Sequence, residues 1–68
     1  MELSARNQLR GKISSVQRGA VVAEVIIEVE GGQTIVSTIS LASVDRMKLK
    51  EGDTVTAFIE ASEVIVGK

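Results

Sequence analysis

The segment from residue 20 to residue 30 constrains the fold most, because its side chains alternate with a period of two. One set of positions is apolar: Val21, Ala23, Val25, Ile27 and Val29. Most of the other set is acidic: Glu24, Glu28 and Glu30. This period is typical of a β-strand with one buried face and one exposed face. We interpret the glutamates as a solvated surface that resists aggregation and not as acid–base catalysts.

Two apolar residues, Val22 and Ile26, interrupt the acidic face of this predicted strand. Single exposed apolar residues are ordinary on protein surfaces. Two of them on one strand face favour a second buried surface. We therefore expect a contact between subunits at this face.

Turn-forming residues divide the rest of the chain into further strands. Gly31-Gly32 predicts a hairpin, because both positions tolerate positive φ, and Glu51-Gly52-Asp53 predicts another turn. The predicted strands cover these ranges: residues 8–17, 20–30, 34–39, 54–59 and 63–66. Gly11 is a candidate bulge in the first strand.

A short helix is predicted after the third strand. Ser40 suits an N-cap, and Leu41, Val44 and Met47 share one helical face. The helix should end near Met47. Five short strands and one helix in this order predict an all-β fold, a five-stranded Greek-key barrel of the oligonucleotide/oligosaccharide-binding (OB) type.

The chain of 68 residues is short enough to predict a single domain, residues 1–68. A fold of this size buries only about 60% of the surface of its unfolded chain. Disulfides, a structural metal or association usually compensate for so small a core. The sequence contains no Cys and no His, so we expect association into a homo-oligomer.

Composition also excludes several classes of function. Without Cys or His there is no zinc, haem or iron–sulfur site and no Cys or His nucleophile, and we expect neither a metal ion nor an enzyme. A net charge of −1 and a single Phe argue against a nucleic-acid partner. No apolar run exceeds four residues, so we expect neither a membrane span nor a signal peptide, and a cytoplasmic protein.

Two segments are rich in hydrogen-bond donors. The first is the N-terminal run from Ser4 to Gln8, which contains Arg6, and the second surrounds Ser40 and Ser43 at the predicted helix start. The first turn of a helix carries unpaired backbone N–H groups and favours anions. A polar arm and a capping serine would explain both segments structurally. Together with an arginine, they also suit an oxyanion.

These segments resemble the signature of the molybdate-binding Mop domain, also called molbindin. The resemblance spans nearly the whole chain through these segments: residues 4–9, 11–13, 19–25, 39–44 and 51–57. It implies a small barrel that assembles as a homohexamer, a trimer of dimers. It also implies storage of molybdate, or of tungstate, in the cytoplasm.

The resemblance further implies oxyanion sites between subunits. Ser4 and Arg6, within the motif that also holds Ala5 and Asn7, would come from one chain. Ser40 and Ser43 would come from another. A second site near the three-fold axis would use the backbone of Gly19, Ala20 and Val21.

One position departs from the family pattern. Where the family has a lysine, this chain has Glu60, followed by Ala61. A carboxylate beside a doubly negative ion is unfavourable. Either the main chain at Ala61 binds, or Lys12 or another cation replaces the lysine, or the site is weaker. We expect weaker binding than in lysine-bearing relatives.

The donor chemistry agrees with the resemblance. Molybdate at neutral pH accepts hydrogen bonds and donates none, and arginine, serine hydroxyls and backbone N–H groups can all donate. Two other functions stay open: a molybdate-responsive regulatory subunit that acts on a partner protein, and a nucleic-acid-binding barrel, since a fold does not determine a function.

Overall fold

A computed structural model of the protein describes residues 4–68. Its four strands are β1 (Asn7–Arg18), β2 (Val22–Val29), β3 (Thr34–Ser40) and β4 (Thr54–Ile59). One α-helix, α1 (Leu41–Met47), follows β3, and two 3-10 turns cover Glu30–Gly32 and Ala61–Glu63. The strands form one antiparallel sheet in the order β3-β2-β1-β4. None of the described helices is long and apolar enough to cross a bilayer.

The centre of the sheet is the long strand β1, which pairs with both β2 and β4. Gly11 lies opposite Val29 on one side and Val55 on the other. A Cβ at Gly11 would collide with the carbonyl oxygen of Glu28 and come within 2.9 Å of Ile27 Cγ2. Glycine is therefore required here for the close approach of β1 and β2.

The bulge predicted at Gly11 was wrong in position. The register with β2 is regular at Gly11 and shifts between Ile13 and Ser15. The physical reason is that Gly11 relieves a steric contact, whereas the extra residue in the strand is Ser14, three positions later.

A small aliphatic core lies on the concave side of the sheet and under the helix. Its buried members are Ile13, Ala23, Val25, Ile27 and Val44. The alternation predicted for β2 is confirmed at Ala23, Val25 and Ile27. Val21 precedes the strand and is exposed, and Val22 and Ile26 lie on the opposite face, exposed and half-buried respectively.

The predicted turn and helix cap are both present. Gly31 and Gly32 have φ values of 87° and 79°, so the hairpin between β2 and β3 uses the backbone freedom of glycine. Ser40 caps α1 by accepting a hydrogen bond from the Ser43 N–H at 3.1 Å. The helix ends at Met47, because Lys48 adopts the left-handed conformation.

The fifth strand predicted at residues 63–66 is absent from the described part of the chain. After β4, the 3-10 turn Ala61–Glu63 redirects the backbone, and Val64 continues it in an extended conformation. Ile65 and Val66 are 95% and 89% exposed. A strand needs a neighbouring edge for its hydrogen bonds, and residues 64–66 are not part of the sheet β3-β2-β1-β4. The described chain is thus an open four-stranded sheet and not a closed five-stranded barrel.

Candidate functional site

The N-terminal donor segment is held at the end of β4. Asn7 lies opposite Ile59 in the ladder, and its side-chain Nδ2 donates to the Ile59 carbonyl oxygen at 3.2 Å. Gln8 Nε2 donates to the Ala5 carbonyl oxygen at 3.0 Å, a hydrogen bond within the N-terminal arm, residues 4–8. Ser4 and Arg6 are exposed in this arm. Their hydroxyl and guanidinium donors therefore face solvent at this end of the sheet.

Glu60 and Ala61 follow β4 at the same end. Glu60 is exposed, and its carbonyl oxygen accepts from the Glu63 N–H at 2.9 Å to form the 3-10 turn. The Ala61 carbonyl oxygen accepts from the Val64 N–H at 3.4 Å. Within one chain, Glu60 and Ala61, at the position that departs from the family pattern, thus lie at the same end of the sheet as the N-terminal arm.

Lys12, considered above as a substitute cation, lies elsewhere. It occupies the middle of β1, opposite Glu28 in β2 and Thr54 in β4. Opposite charges at paired strand positions attract one another, and Glu28 is the residue in register with Lys12. Within one chain, Lys12 does not join the Arg6 end.

The second donor cluster is formed at the start of α1. The Ser40 and Ser43 hydroxyls are hydrogen-bonded at 2.9 Å, and Arg46 Nη2 donates to the Ser43 Oγ at 3.4 Å. The sequence interpretation missed Arg46. The spacing of three between Ser43 and Arg46 on a helix is the signal that could have found it, because such residues are neighbours on a helix surface.

The segment Gly19–Val21 lies against this helix start. The Leu41 N–H donates to the Val21 carbonyl oxygen at 2.9 Å, and Val22 pairs with Ser40 in the ladder. The Gly19 N–H donates to the Val22 carbonyl oxygen at 2.8 Å. The Gly19 amide is thus engaged inside the turn, although Gly19, Ala20 and Val21 are all exposed.

The two donor clusters lie at opposite ends of β1. Its first residue, Asn7, is beside the arm, whereas its last residue, Arg18, binds Asp45 of α1 through a 2.8 Å ion pair. The strand has 12 residues. A straight strand of that length spans roughly 35 Å, and less when it curls. A single chain therefore separates the Arg6 arm from the Ser40–Ser43 cluster.

The chemistry of both clusters is that of hydrogen-bond donation. Guanidinium groups, hydroxyls and main-chain amides dominate them, with the Glu60 carboxylate as the exception. Among residues 4–68, His, Cys, Asp and Glu side chains form no group of three or more that could hold a metal ion. The arrangement therefore suits an anion better than a cation.

The model of the TOBE domain matches residues 3–66. The chain belongs to the TOBE domain family. Molybdenum-pterin-binding protein 3 from Clostridium pasteurianum is 46% identical over 66 residues, which cover 97% of both chains.

Two solved structures share the fold over the whole domain. MopII from Clostridium pasteurianum superposes with a TM-score of 0.93 at 43% identity, over 98% of this chain and 100% of that one. A molybdate-binding protein from Sporomusa ovata superposes with a TM-score of 0.94 at 34% identity, over 100% of both chains. The all-β, OB-like architecture and the family resemblance are thereby confirmed.

Proposed function

We propose that this chain is a molybdate-binding module that holds the oxyanion between copies of itself. The observation that carries the proposal is similarity over nearly the whole chain, 46% identity to a molybdenum-pterin-binding protein and a TM-score of 0.94 to a molybdate-binding protein. We further propose that residues 1–68 act as one Mop domain, of which residues 1–3 lie outside the described residues. Its activity is binding and not catalysis.

Each main site takes donors from two copies. One copy contributes the arm with Ser4 and Arg6, and the other contributes Ser40 and Ser43. The separation of these clusters along β1 supports this division, since one chain alone keeps them apart. Asn7 acts on this site indirectly, because its bond to Ile59 positions the arm and with it Ala5 and Arg6.

The donor set selects for a fully deprotonated anion. Molybdate offers only acceptor oxygens, and the guanidinium, hydroxyl and amide groups can all donate to them. Hydrogen bonds to a charged donor are the stronger kind, and arginine keeps its proton. Phosphate is partly protonated at neutral pH, so it also needs an acceptor. Tungstate carries the same charge and is accepted by the same donors.

Glu60 weakens this site. Its carboxylate replaces a cation at the arm end of the sheet, where it opposes a doubly charged ligand. The main chain at Ala61 then supplies the local contact. The weaker affinity favours a buffering role, in which molybdate is stored in the cytoplasm and released as its free concentration falls.

A second, weaker site uses the backbone beside the helix start. Ala20 and Val21 supply it, and Gly19 shapes the turn that presents them, since its own amide is engaged. This site faces a three-fold axis in a homohexamer built as a trimer of dimers.

Calorimetric titration with molybdate, tungstate, sulfate and phosphate tests the proposal, with light scattering on the same samples. We expect saturable binding of molybdate and tungstate, weaker binding of phosphate, and an assembly larger than a monomer. A chain that binds none of the four anions would contradict the proposed function.

A further inference from the structure

In the described part of the chain, Arg46 lies at the second donor cluster without a carboxylate partner. It belongs to the last turn of α1 and is exposed, and its Nη2 donates to the Ser43 Oγ at 3.4 Å. The ion pairs among residues 4–68 join Arg18 to Asp45 and Lys50 to Asp53. Arg46 takes part in neither of them. Its positive charge is therefore available to a further anion beside the two serines.

Asp45, the acid next to Arg46 in α1, is already paired with Arg18. The Arg18 Nη2 lies 2.8 Å from Asp45 Oδ1, and this ion pair joins the end of β1 to the helix. Consecutive residues of a helix do not face each other, so Asp45 and Arg46 leave α1 in different directions. Because Arg18 balances the charge of Asp45, the three side chains together carry a net positive charge, and that charge is located at Arg46.

The hydrogen bonds of the cluster leave the Ser43 hydroxyl as a donor. The Ser40 Oγ accepts from the Ser43 N–H and donates to the Ser43 Oγ at 2.9 Å, and Arg46 donates to the same oxygen. A hydroxyl has one hydrogen to donate and two lone pairs that accept. Both lone pairs of Ser43 are thus engaged, and among the described residues its O–H has no acceptor. Arg46 therefore prepares Ser43 for a ligand that only accepts hydrogen bonds.

Glu60 carries the opposite charge at the other half of the proposed site. It is exposed and belongs to neither of the two ion pairs among residues 4–68. The proposed site joins the arm end of one copy, where Glu60 lies, to the Ser40–Ser43 cluster of another. Arg46 is bonded to Ser43, so it enters the site with that cluster. The carboxylate of one half and the guanidinium of the other half are thus complementary charges.

We propose that Arg46 is a specificity-determining residue of the oxyanion site, where it supplies the positive charge that position 60 lacks. Arg6 of one copy and Arg46 of the other face the ligand from two sides, and Arg46 offsets part of the repulsion from Glu60. The attraction between charges grows with the charge of the ligand, so these cations favour a doubly charged oxyanion over a singly charged one. The inference rests on the proposed function and adds a residue to its site.

Calorimetric titration with molybdate tests the charge at position 46. Arg46→Gln removes the charge but keeps a polar side chain, and Arg46→Lys keeps the charge. Arg10→Gln is the control, because it removes an exposed cation that lies opposite Thr56 in the sheet. We expect Arg46→Gln to weaken molybdate binding by about tenfold, since hydrogen bonds to charged groups are the stronger kind. Arg46→Lys should lose less, and Arg10→Gln should keep the natural affinity.

Salt distinguishes the charge of Arg46 from a structural role. Dissolved ions screen the attraction between exposed charges, so the difference in molybdate affinity between the natural chain and Arg46→Gln should shrink as sodium chloride is raised. The melting temperatures of the two chains without molybdate should agree. A loss of affinity that is the same at low and at high salt would overturn the proposal, because it would show that Arg46 acts on the fold and not on the ligand.

Exchange of the two charges tests whether positions 46 and 60 serve the same ligand. Arg46→Glu places a second carboxylate in the site and should bind molybdate more weakly than Arg46→Gln. Adding Glu60→Lys returns a cation to the site and should restore the affinity. Adding Glu63→Lys instead gives the same net charge two residues beyond Ala61, and it should not restore the affinity. Equal restoration by the two lysines, or none by Glu60→Lys, would overturn the proposal.

The natural chain, titrated beside these variants, separates the two levels of the account. A natural chain that does not bind molybdate would refute the proposed function, and the role of Arg46 with it. A natural chain that binds molybdate, beside an Arg46→Gln chain of equal affinity, would overturn the role of Arg46 alone.

Discussion

The Asn7 side-chain amide donates to the Ile59 carbonyl oxygen at 3.2 Å and ties the N-terminal arm to the end of β4. This one bond joins residues 52 positions apart in the sequence. It places Arg6 at the same end of the sheet as Glu60, whereas Ser40 and Ser43 lie at the other end of β1. The proposed oxyanion site therefore depends on two copies of the chain meeting end to end.

Arg6→Ala should abolish the stabilisation that molybdate gives. A ligand that binds only the folded assembly raises the melting temperature by mass action, and Arg6 supplies the main charge-assisted bonds. Differential scanning fluorimetry with and without molybdate measures the effect. Arg10→Ala, an exposed cation within β1, is the matched control and should keep the rise. An Arg6→Ala protein that responds as the natural chain does would remove Arg6 from the site.

Glu60→Lys should tighten molybdate binding. The change replaces a repelled carboxylate with an attracted ammonium, and we expect a gain of roughly tenfold at low salt, equal to about 1.4 kcal/mol. Calorimetry gives the affinity directly. Glu63→Lys makes the same charge change on the following turn and serves as the control. Equal affinities for Glu60→Lys and the natural chain would show that Glu60 does not face the ligand.

Substitutions of Ser40 and Ser43 should distinguish a structural role of this cluster from a role in molybdate binding. Ser40→Ala removes the cap of α1 and should cost about 1 kcal/mol, or about 4–8 °C in melting temperature. Ser43→Ala keeps that cap, because Ser43 donates to it through its backbone N–H. We therefore expect Ser43→Ala to melt within a few degrees of the natural chain and to bind molybdate more weakly. Unchanged molybdate binding by Ser43→Ala would show that the cluster only caps α1 and does not bind the ligand.

Gly11→Ala should destabilise the fold through backbone collision. The added Cβ meets the Glu28 carbonyl oxygen in the neighbouring strand, which cannot rotate away. Overpacking of this kind costs about 1–3 kcal/mol. Gly67→Ala adds the same methyl group where no atom lies within 4 Å, and its stability should stay unchanged. Urea unfolding followed by circular dichroism compares the two, and equal stabilities would contradict the close approach of β1 and β2.

The sequence predicted those parts of the fold that depend on interactions between residues close together in the chain. The alternation at Ala23, Val25 and Ile27 fixes which face of β2 is buried. The predictions of a turn at Gly31-Gly32 and of a helix cap at Ser40 are also confirmed, because a turn and a helix start are determined by neighbouring residues.

Features that depend on distant contacts were not predictable in the same way. The apolar pattern of residues 63–66 predicted a strand, but Glu63 lies in the 3-10 turn after β4 and the described chain has no fifth strand there. Whether an apolar segment forms a strand depends on an available sheet edge, which the local pattern does not determine. Gly11 signals an unusual backbone position in either case, and only the register distinguishes a bulge from a close approach. The separation of the two donor clusters follows from the length of β1, which the sequence pattern underestimated by one residue at each end.

Complementation between two variants with impaired molybdate binding tests the shared site most directly. Arg6→Ala and Ser43→Ala chains are unfolded together, refolded as a mixture and titrated with molybdate, beside each variant refolded alone. If each site takes Arg6 from one copy and Ser43 from another, about a quarter of the sites in a random mixture contain both residues. The account predicts that the mixture regains tight binding that neither variant shows. Binding by the mixture equal to the average of the two variants would contradict a site shared between chains.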